Sequence, residues 1–181
     1  MAQFVALLRG INVGKAKRIA MADLRVLLEG LGYSDVSTLL NSGNAVFSAG
    51  KDKPAKLAAD IAAAIADQMG FEVPVIVKSA QEFTSAVTEN SITVDESEHP
   101  RLLVVFVQDD KALPNLSPVT ALLVPPERFA IGAHAAYLHC AIGILESKAG
   151  EALVGKIGRS VSVTSRNWAT VLKLRALLDK A

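Results

Sequence analysis

Phe4-Val5-Ala6-Leu7-Leu8-Arg9-Gly10-Ile11-Asn12-Val13-Gly14 decides the reading of the fold. Five apolar residues in a row describe a buried strand, and Arg9-Gly10 stops it. A loop carrying Gly10, Gly14, Lys15, Lys17 and Arg18 comes next. Met21, Leu24, Leu27, Leu28 and Leu31 then recur at helical spacing, with Gly32 placed to end the helix. Two short strands, 36–40 and 45–47, flank Asn41-Ser42-Gly43-Asn44, whose turn chemistry makes them a hairpin. Pro54 opens a second helix with Leu57, Ile61, Ala64, Ile65 and Met69 on one face, and Gly70 closes it. A strand at 73–77 has Pro74 near its start, which suits a sheet edge. The order β-α-β-β-α-β is the split, ferredoxin-like arrangement.

Further along, Ser79-Ala80-Gln81-Glu82 matches a capping box, so a linking helix starts there with Phe83 and Val87 inward. The polar, acidic stretch 90–100 is the best boundary, giving expected halves 1–90 and 91–181. The second half repeats the order. A strand spans 102–107. Ser117-Pro118 reads as a cap and first helical residue of a short helix to about Leu123. Strands 129–131 and 137–140 flank Gly132-Ala133-His134. A helix covers 149–157 with Leu153, Val154 and Ile157 inward, and a strand covers 161–163. Ser165 caps a final helix through Leu178 that offers Trp168, Val171, Leu172, Leu174 and Leu178 to the core. The expectation is an α+β protein of two tandem ferredoxin-like βαββαβ units with antiparallel sheets and an extra C-terminal helix. The halves share a pattern, with no residue-level repeat.

Composition agrees with this size of fold and excludes several classes. A chain of 181 residues, 51% hydrophobic, has enough apolar material for a real core. Nineteen Lys and Arg against 18 Asp and Glu leave a net charge of +1, so bulk charge selects neither nucleic acid nor a membrane surface. The single cysteine, Cys140, has no internal partner for a disulfide. The N-terminal residues lack the basic start of a signal peptide. No apolar run approaches the ~20 residues that span a bilayer. A soluble, cytoplasmic protein without a membrane partner is expected.

The segment from Phe4 to Gly14, with Leu31-Gly32-Tyr33 and Asn41-Ser42-Gly43-Asn44-Ala45-Val46-Phe47, is the first part of a family resemblance. Ser147-Lys148 and Thr164-Ser165-Arg166-Asn167-Trp168-Ala169-Thr170-Val171 are the second. Together they resemble the widespread bacterial family called domain of unknown function 1697, from end to end of the chain. Ala169 stands where similar proteins often carry a second Asn, and Lys148 lacks the Leu that usually follows. The resemblance implies the same two-unit α+β fold and no particular activity.

Two polar clusters are candidates for chemistry. In the loop after the first strand, glycines permit tight turns whose N–H groups can cradle an oxyanion, and Arg9, Lys15, Lys17 and Arg18 supply charge. The loop is neither a Walker A nor a dinucleotide G-x-G-x-x-G sequence, and solvated cations around structural glycines are the plain alternative. Ser165-Arg166-Asn167-Trp168, read as a helix start, could hold an anion through free N–H groups and a bidentate Arg; a Ser cap over a core Trp is equally ordinary. Cations gather toward both chain ends and acids between Glu82 and Asp110, so a fold uniting the ends would make one anion-attracting surface.

His99, His134 and His139 show no metal-ligand spacing with Cys140 or a carboxylate, and neither a metal nor a cofactor is expected. Neighbours in a strand, His139 and Cys140 point to opposite faces, leaving a buried Cys and surface histidines. The strands lack the aromatic and basic pattern of ferredoxin-like RNA binders.

The leading expectation is binding of a small anionic ligand bearing phosphate or carboxylate. Its candidate residues are Arg9, Asn12, Lys15, Asn41, Ser42, Asn44, Ser147, Lys148, Arg166, Asn167 and Trp168. Nucleic-acid association through the same basic surface and a non-catalytic protein-interaction module are the alternatives. No residue stands out as a nucleophile or general base, and the sequence leaves enzymatic activity and oligomeric state open.

Overall fold

The computed structural model describes residues 1–180. The elements run in chain order β1 (Ala2–Leu8), α1 (Met21–Gly30), β2 (Ser34–Leu39), β3 (Asn44–Ala49), α2 (Pro54–Met69), β4 (Val75–Ser79) and α3 (Ala80–Glu89). After a 3-10 turn at Glu96–Arg101 come β5 (Leu102–Phe106), a 3-10 stretch at Asp110–Leu122, β6 (Arg128–Ile131), β7 (Ala136–His139), α4 (Lys148–Val154), α5 (Lys156–Val161), β8 (Thr164–Asn167) and α6 (Trp168–Asp179). Two four-stranded antiparallel sheets result, ordered β2-β3-β1-β4 and β6-β7-β5-β8. The order is the same in both, with the first strand of each unit beside its third and fourth. The chain is an α+β protein of two tandem ferredoxin-like units and an additional C-terminal helix. Its compact units are Met1–Phe83 joined by the chain from Leu174, and Thr84–Lys173.

In the first unit β1 is central, pairing Phe4 with Phe47 of β3 and with Ser79 of β4. Phe4, Ala6 and Leu8 share a core with Leu24, Leu27 and Leu28 of α1 and with Leu57, Ile61 and Ile65 of α2. Phe47 stacks on Phe4 and Tyr33, with ring centroids 5.7 and 4.7 Å apart. Phe4 and Phe47, both buried, each contribute about 1.5–3 kcal/mol, and Tyr33 is half-buried. Val5 and Leu7, pointing the other way, are also buried, so β1 is covered on both faces and reads as a continuous apolar run. Gly70, left-handed at φ +79°, ends α2, and β4 is an edge strand as Pro74 implies. The capping box at α3 is present: Ser79 N–H donates to Glu82 Oε2 at 2.8 Å, and Glu82 N–H donates to Ser79 Oγ at 3.1 Å.

The second unit departs from expectation in four places. Asp109, whose side chain accepts from Lys111 N–H, starts a 3-10 stretch eight residues before Ser117, so Ser117 is not its cap. Pro114 and Pro118 each lack the N–H that an α-helical ladder needs, which keeps the segment in 3-10 turns. The single helix expected at 149–157 is two, broken at Gly155, and the break leaves Val154 66% exposed instead of inward. Helix α5 itself runs to Val161, so the strand expected at 161–163 begins at Thr164. Consequently Ser165 lies within β8, and Asn167 caps α6 by accepting from Thr170 N–H at 2.9 Å.

The β6–β7 hairpin is held from α3. Glu89 Oε2 accepts from Ala133 N–H at 2.7 Å, while Oε1 accepts from His134 N–H at 2.7 Å and Ala135 N–H at 3.2 Å. Gly132 is required because a Cβ there would overlap this carboxylate. Nearby, buried Tyr137 donates its hydroxyl to Ala86 O, and burial pushes the phenol well above its ordinary range. Glu89→Gln is expected to destabilise the protein by about 1–3 kcal/mol, because an amide cannot serve three N–H donors as a carboxylate does. Urea unfolding with an unchanged slope and a lower midpoint checks it.

Candidate functional site

The loop between β1 and α1 is closed by one carboxamide. Asn12 sits at φ +56°, a left-handed conformation that Asn tolerates better than most residues. Its Oδ1 accepts from Ile19 N–H at 2.9 Å, and its Nδ2 donates to Ile19 O at 2.8 Å and Asn41 O at 2.7 Å. Both amide hydrogens are thereby spent. Asn12 N–H donates to Lys17 O at 3.1 Å, and Arg18 Nη1 donates to Gly14 O at 3.2 Å. The hairpin turn is tied to the same knot. Leu8 N–H donates to Gly43 O at 2.9 Å, and Asn44, fully buried, donates to Leu39 O at 2.8 Å and Ser42 Oγ at 2.9 Å. Gly43 has φ +90°, and a Cβ there would stand 2.7 Å from Ile11 Cδ1.

Beside the knot is a cavity of about 360 Å³ lined by Asn12, Arg18, Ile19, Ala20, Met21 and Asn41. It lies at the N-terminus of α1, where Ala20 occupies the cap position and makes no side-chain cap hydrogen bond. The first-turn N–H groups and the positive end of the helix dipole are thus left without a capping side chain. Arg18 is exposed on the cavity wall, and exposed Lys15 and Lys17 lie in the same loop, against the exposed Asp23 in the first turn of α1. The sequence marks Arg18 as one of the loop cations, whereas the uncapped Ile19-Ala20-Met21 start stands out only in the structure. Its signal is the absence of Ser, Thr, Asp or Asn ahead of an apolar helix.

The eleven residues expected to bind ligand divide between the units. Arg9, Asn12, Lys15, Asn41, Ser42 and Asn44 are in the first, where the knot unites Asn12 with Asn41 and Ser42 with Asn44. Arg9 is half-buried with its N–H on Pro74 O at 3.0 Å, and Lys15 is an exposed loop cation. The other five are in the second. Ser147 is buried and caps α4 through Gly150 N–H at 3.0 Å, while Lys148 is exposed. Arg166 is 9% exposed in β8 opposite Val104; Nη1 donates to Ser165 O at 2.8 Å, and burial lowers its pKa to about 10. Asn167 is the α6 cap, and Trp168 begins that helix half-buried.

Two buried polar residues carry no sequence signal of their place. Lys78 is buried in β4 opposite Val5, and His139, expected at the surface with the other histidines, is buried. Cys140 is buried as expected. Burial raises its thiol pKa, a hydrogen bond from Ser147 opposes that, and Glu127 adds to the rise. Among the described residues no group of three His, Cys, Asp or Glu side chains could hold a metal ion, and no helix is long and apolar enough to cross a membrane.

Asn12→Ala is expected to cost on the order of 2–4 kcal/mol, from three lost hydrogen bonds and a left-handed alanine. Asn12→Gly recovers the conformational part alone, so its unfolding midpoint should fall between wild type and Asn12→Ala. Cys140 should react with a disulfide reagent in native buffer at a rate limited by opening of the fold, and at once in denaturant.

A family model described as a protein of unknown function, DUF1697, matches residues 1–137. A solved structure, that of the conserved bacterial protein SP0830 from Streptococcus pneumoniae, is similar with a TM-score of 0.78 and 24% sequence identity, covering 98% of each chain. That likeness is one of fold. No curated protein matches the chain. With three quarters of its length under the family model, the chain belongs to the DUF1697 family.

Proposed function

We propose that this protein binds a small anionic metabolite, bearing a phosphate or a carboxylate, in the cavity at the start of α1. The uncapped helix terminus opening onto that cavity carries the reading. Backbone N–H groups there have no competing side chain, and a helix dipole favours negative charge at this end. Arg18 supplies a bidentate donor on the wall. Asn12 and Asn41 contribute by holding the loop against the hairpin turn, since the Asn12 amide hydrogens are already committed. The second-unit candidates are engaged otherwise: Ser147 and Asn167 cap helices and Arg166 is buried in a strand, so this reading rests on the first unit.

The test is a thermal-shift series with inorganic phosphate, citrate, a nucleoside monophosphate and a short single-stranded RNA, run on wild type, Arg18→Ala and Arg159→Ala. One small anion should stabilise wild type saturably, by ~2.7 kcal/mol at a hundredfold excess over its dissociation constant. Arg18→Ala should weaken it about tenfold, while Arg159→Ala on α5 should match wild type. Equal responses in all three proteins, or RNA binding that collapses steeply with added salt, would remove the small-anion reading.

A further inference from the structure

Two loop tips of the first unit are bonded together, and each holds an apolar side chain out in water. Asn12 N–H donates to Lys17 O at 3.1 Å, which closes the loop after β1 and leaves Val13, Gly14, Lys15 and Ala16 exposed at its tip. Asn12 Nδ2 donates to Asn41 O at 2.7 Å, so the tip of the β2–β3 hairpin is fastened to that loop. Val13 and Leu40 each adjoin one partner of this bond, and they are 75% and 48% exposed. Leu40 takes φ +59°, a conformation that a leucine seldom adopts.

Charge gathers around these two side chains. Residues 10–22 and 36–51 contain no acid. Lys15, Lys17 and Arg18 are exposed, and Arg9 is half-buried. Arg9 N–H donates to Pro74 O, and exposed Glu72 is two residues from Pro74 on that side. Asp23 lies in the first turn of α1. Four cations therefore share this end with two acids, a local excess that the net charge of +1 over the whole chain conceals. Cations alone would suit any polyanion, nucleic acid included. Apolar tips set among them suit a lipid surface, where cations meet anionic headgroups and the tips reach the acyl boundary.

We propose that this end of the first unit docks on an anionic lipid surface, with Val13 and Leu40 entering the interface and Lys15 and Lys17 among the headgroups. These four side chains lie outside the lining of the α1 cavity, so the docking does not rest on the small-anion reading.

The test is co-sedimentation of the whole protein with vesicles of phosphatidylcholine alone and of equal parts phosphatidylcholine and phosphatidylglycerol. The anionic vesicles should carry the protein down saturably, and the neutral ones should not. Lys15→Gln combined with Lys17→Gln should weaken binding about 25-fold, two cations at ~1 kcal/mol each. Val13→Ser should weaken it about tenfold, as for an apolar side chain kept in water, while its thermal response to inorganic phosphate matches wild type. All three positions are exposed, so none of these variants removes a core contact. Equal sedimentation with neutral vesicles, undiminished binding by Val13→Ser or by the double variant, or tighter binding to single-stranded RNA than to anionic vesicles overturns the proposal.

Discussion

The two central strands are covered on both faces, and this constraint governs where anything polar can be. Val5, Ala6, Leu7 and Leu8 of β1, and Leu102, Val104, Val105 and Phe106 of β5, are all inaccessible to solvent. Each strand also pairs with neighbours on either side. A charged group placed there would lose its hydration with no partner to replace it. Chemistry is thereby displaced to strand ends, hairpin turns and helix starts. The chain leaves β1 through Arg9-Gly10, the first point at which the backbone is free to turn and a cation can reach water.

The loop after β1 is shaped by short polar side chains acting on backbone. Asn12 takes a left-handed conformation and spends its carboxamide on Ile19 and Asn41, which fixes both ends of the loop to the neighbouring hairpin. Gly43 lets that hairpin approach Ile11 and Leu8 more closely than any side chain would allow. The result is a rigid frame around a helix start that lacks a cap of its own. Most helices fill that position with Ser, Thr, Asp or Asn; here it is Ala20, which has no polar side chain to offer.

The element order was legible in the sequence wherever apolar periodicity and punctuation agreed. Leu24, Leu27 and Leu28, the Pro54 to Gly70 helix, and the Ser79–Glu82 box all appear where their spacing puts them. Legibility failed where local signals competed. Ser117-Pro118 has the form of a helix start, yet Asp109 begins the segment earlier. Val154 keeps helical spacing with Leu153 and Ile157, yet Gly155 restarts the helix and turns it outward. Ser165 has the form of a cap, but sheet pairing of Val104 with Arg166 draws it into β8 and passes the capping role to Asn167. Tertiary pairing outweighs a cap worth about 1 kcal/mol. Site residues were legible as polar types in loops; which hydrogen bonds they had already spent was not, because that depends on partners 29 residues apart, such as Asn12 and Asn41.

The two units share a topology and execute it with different chemistry. In the first, the connection after the opening strand reaches a ten-residue α-helix with no side-chain cap at its N-terminus. In the second, Pro114 and Pro118 hold the equivalent connection in 3-10 turns, and Asp109 already accepts from its first turn. That connection therefore supplies no α-helix dipole of comparable length. Polar groups of the second unit collect instead around β6 and β7, where Glu89 satisfies the hairpin N–H groups and Glu98 faces a buried imidazole. The first unit thus has a helix start without a side-chain cap, and the second has carboxylates gathered beside a hairpin. A shared topology allows the same connection to be an α-helix in one unit and 3-10 turns in the other, and proline placement decides which.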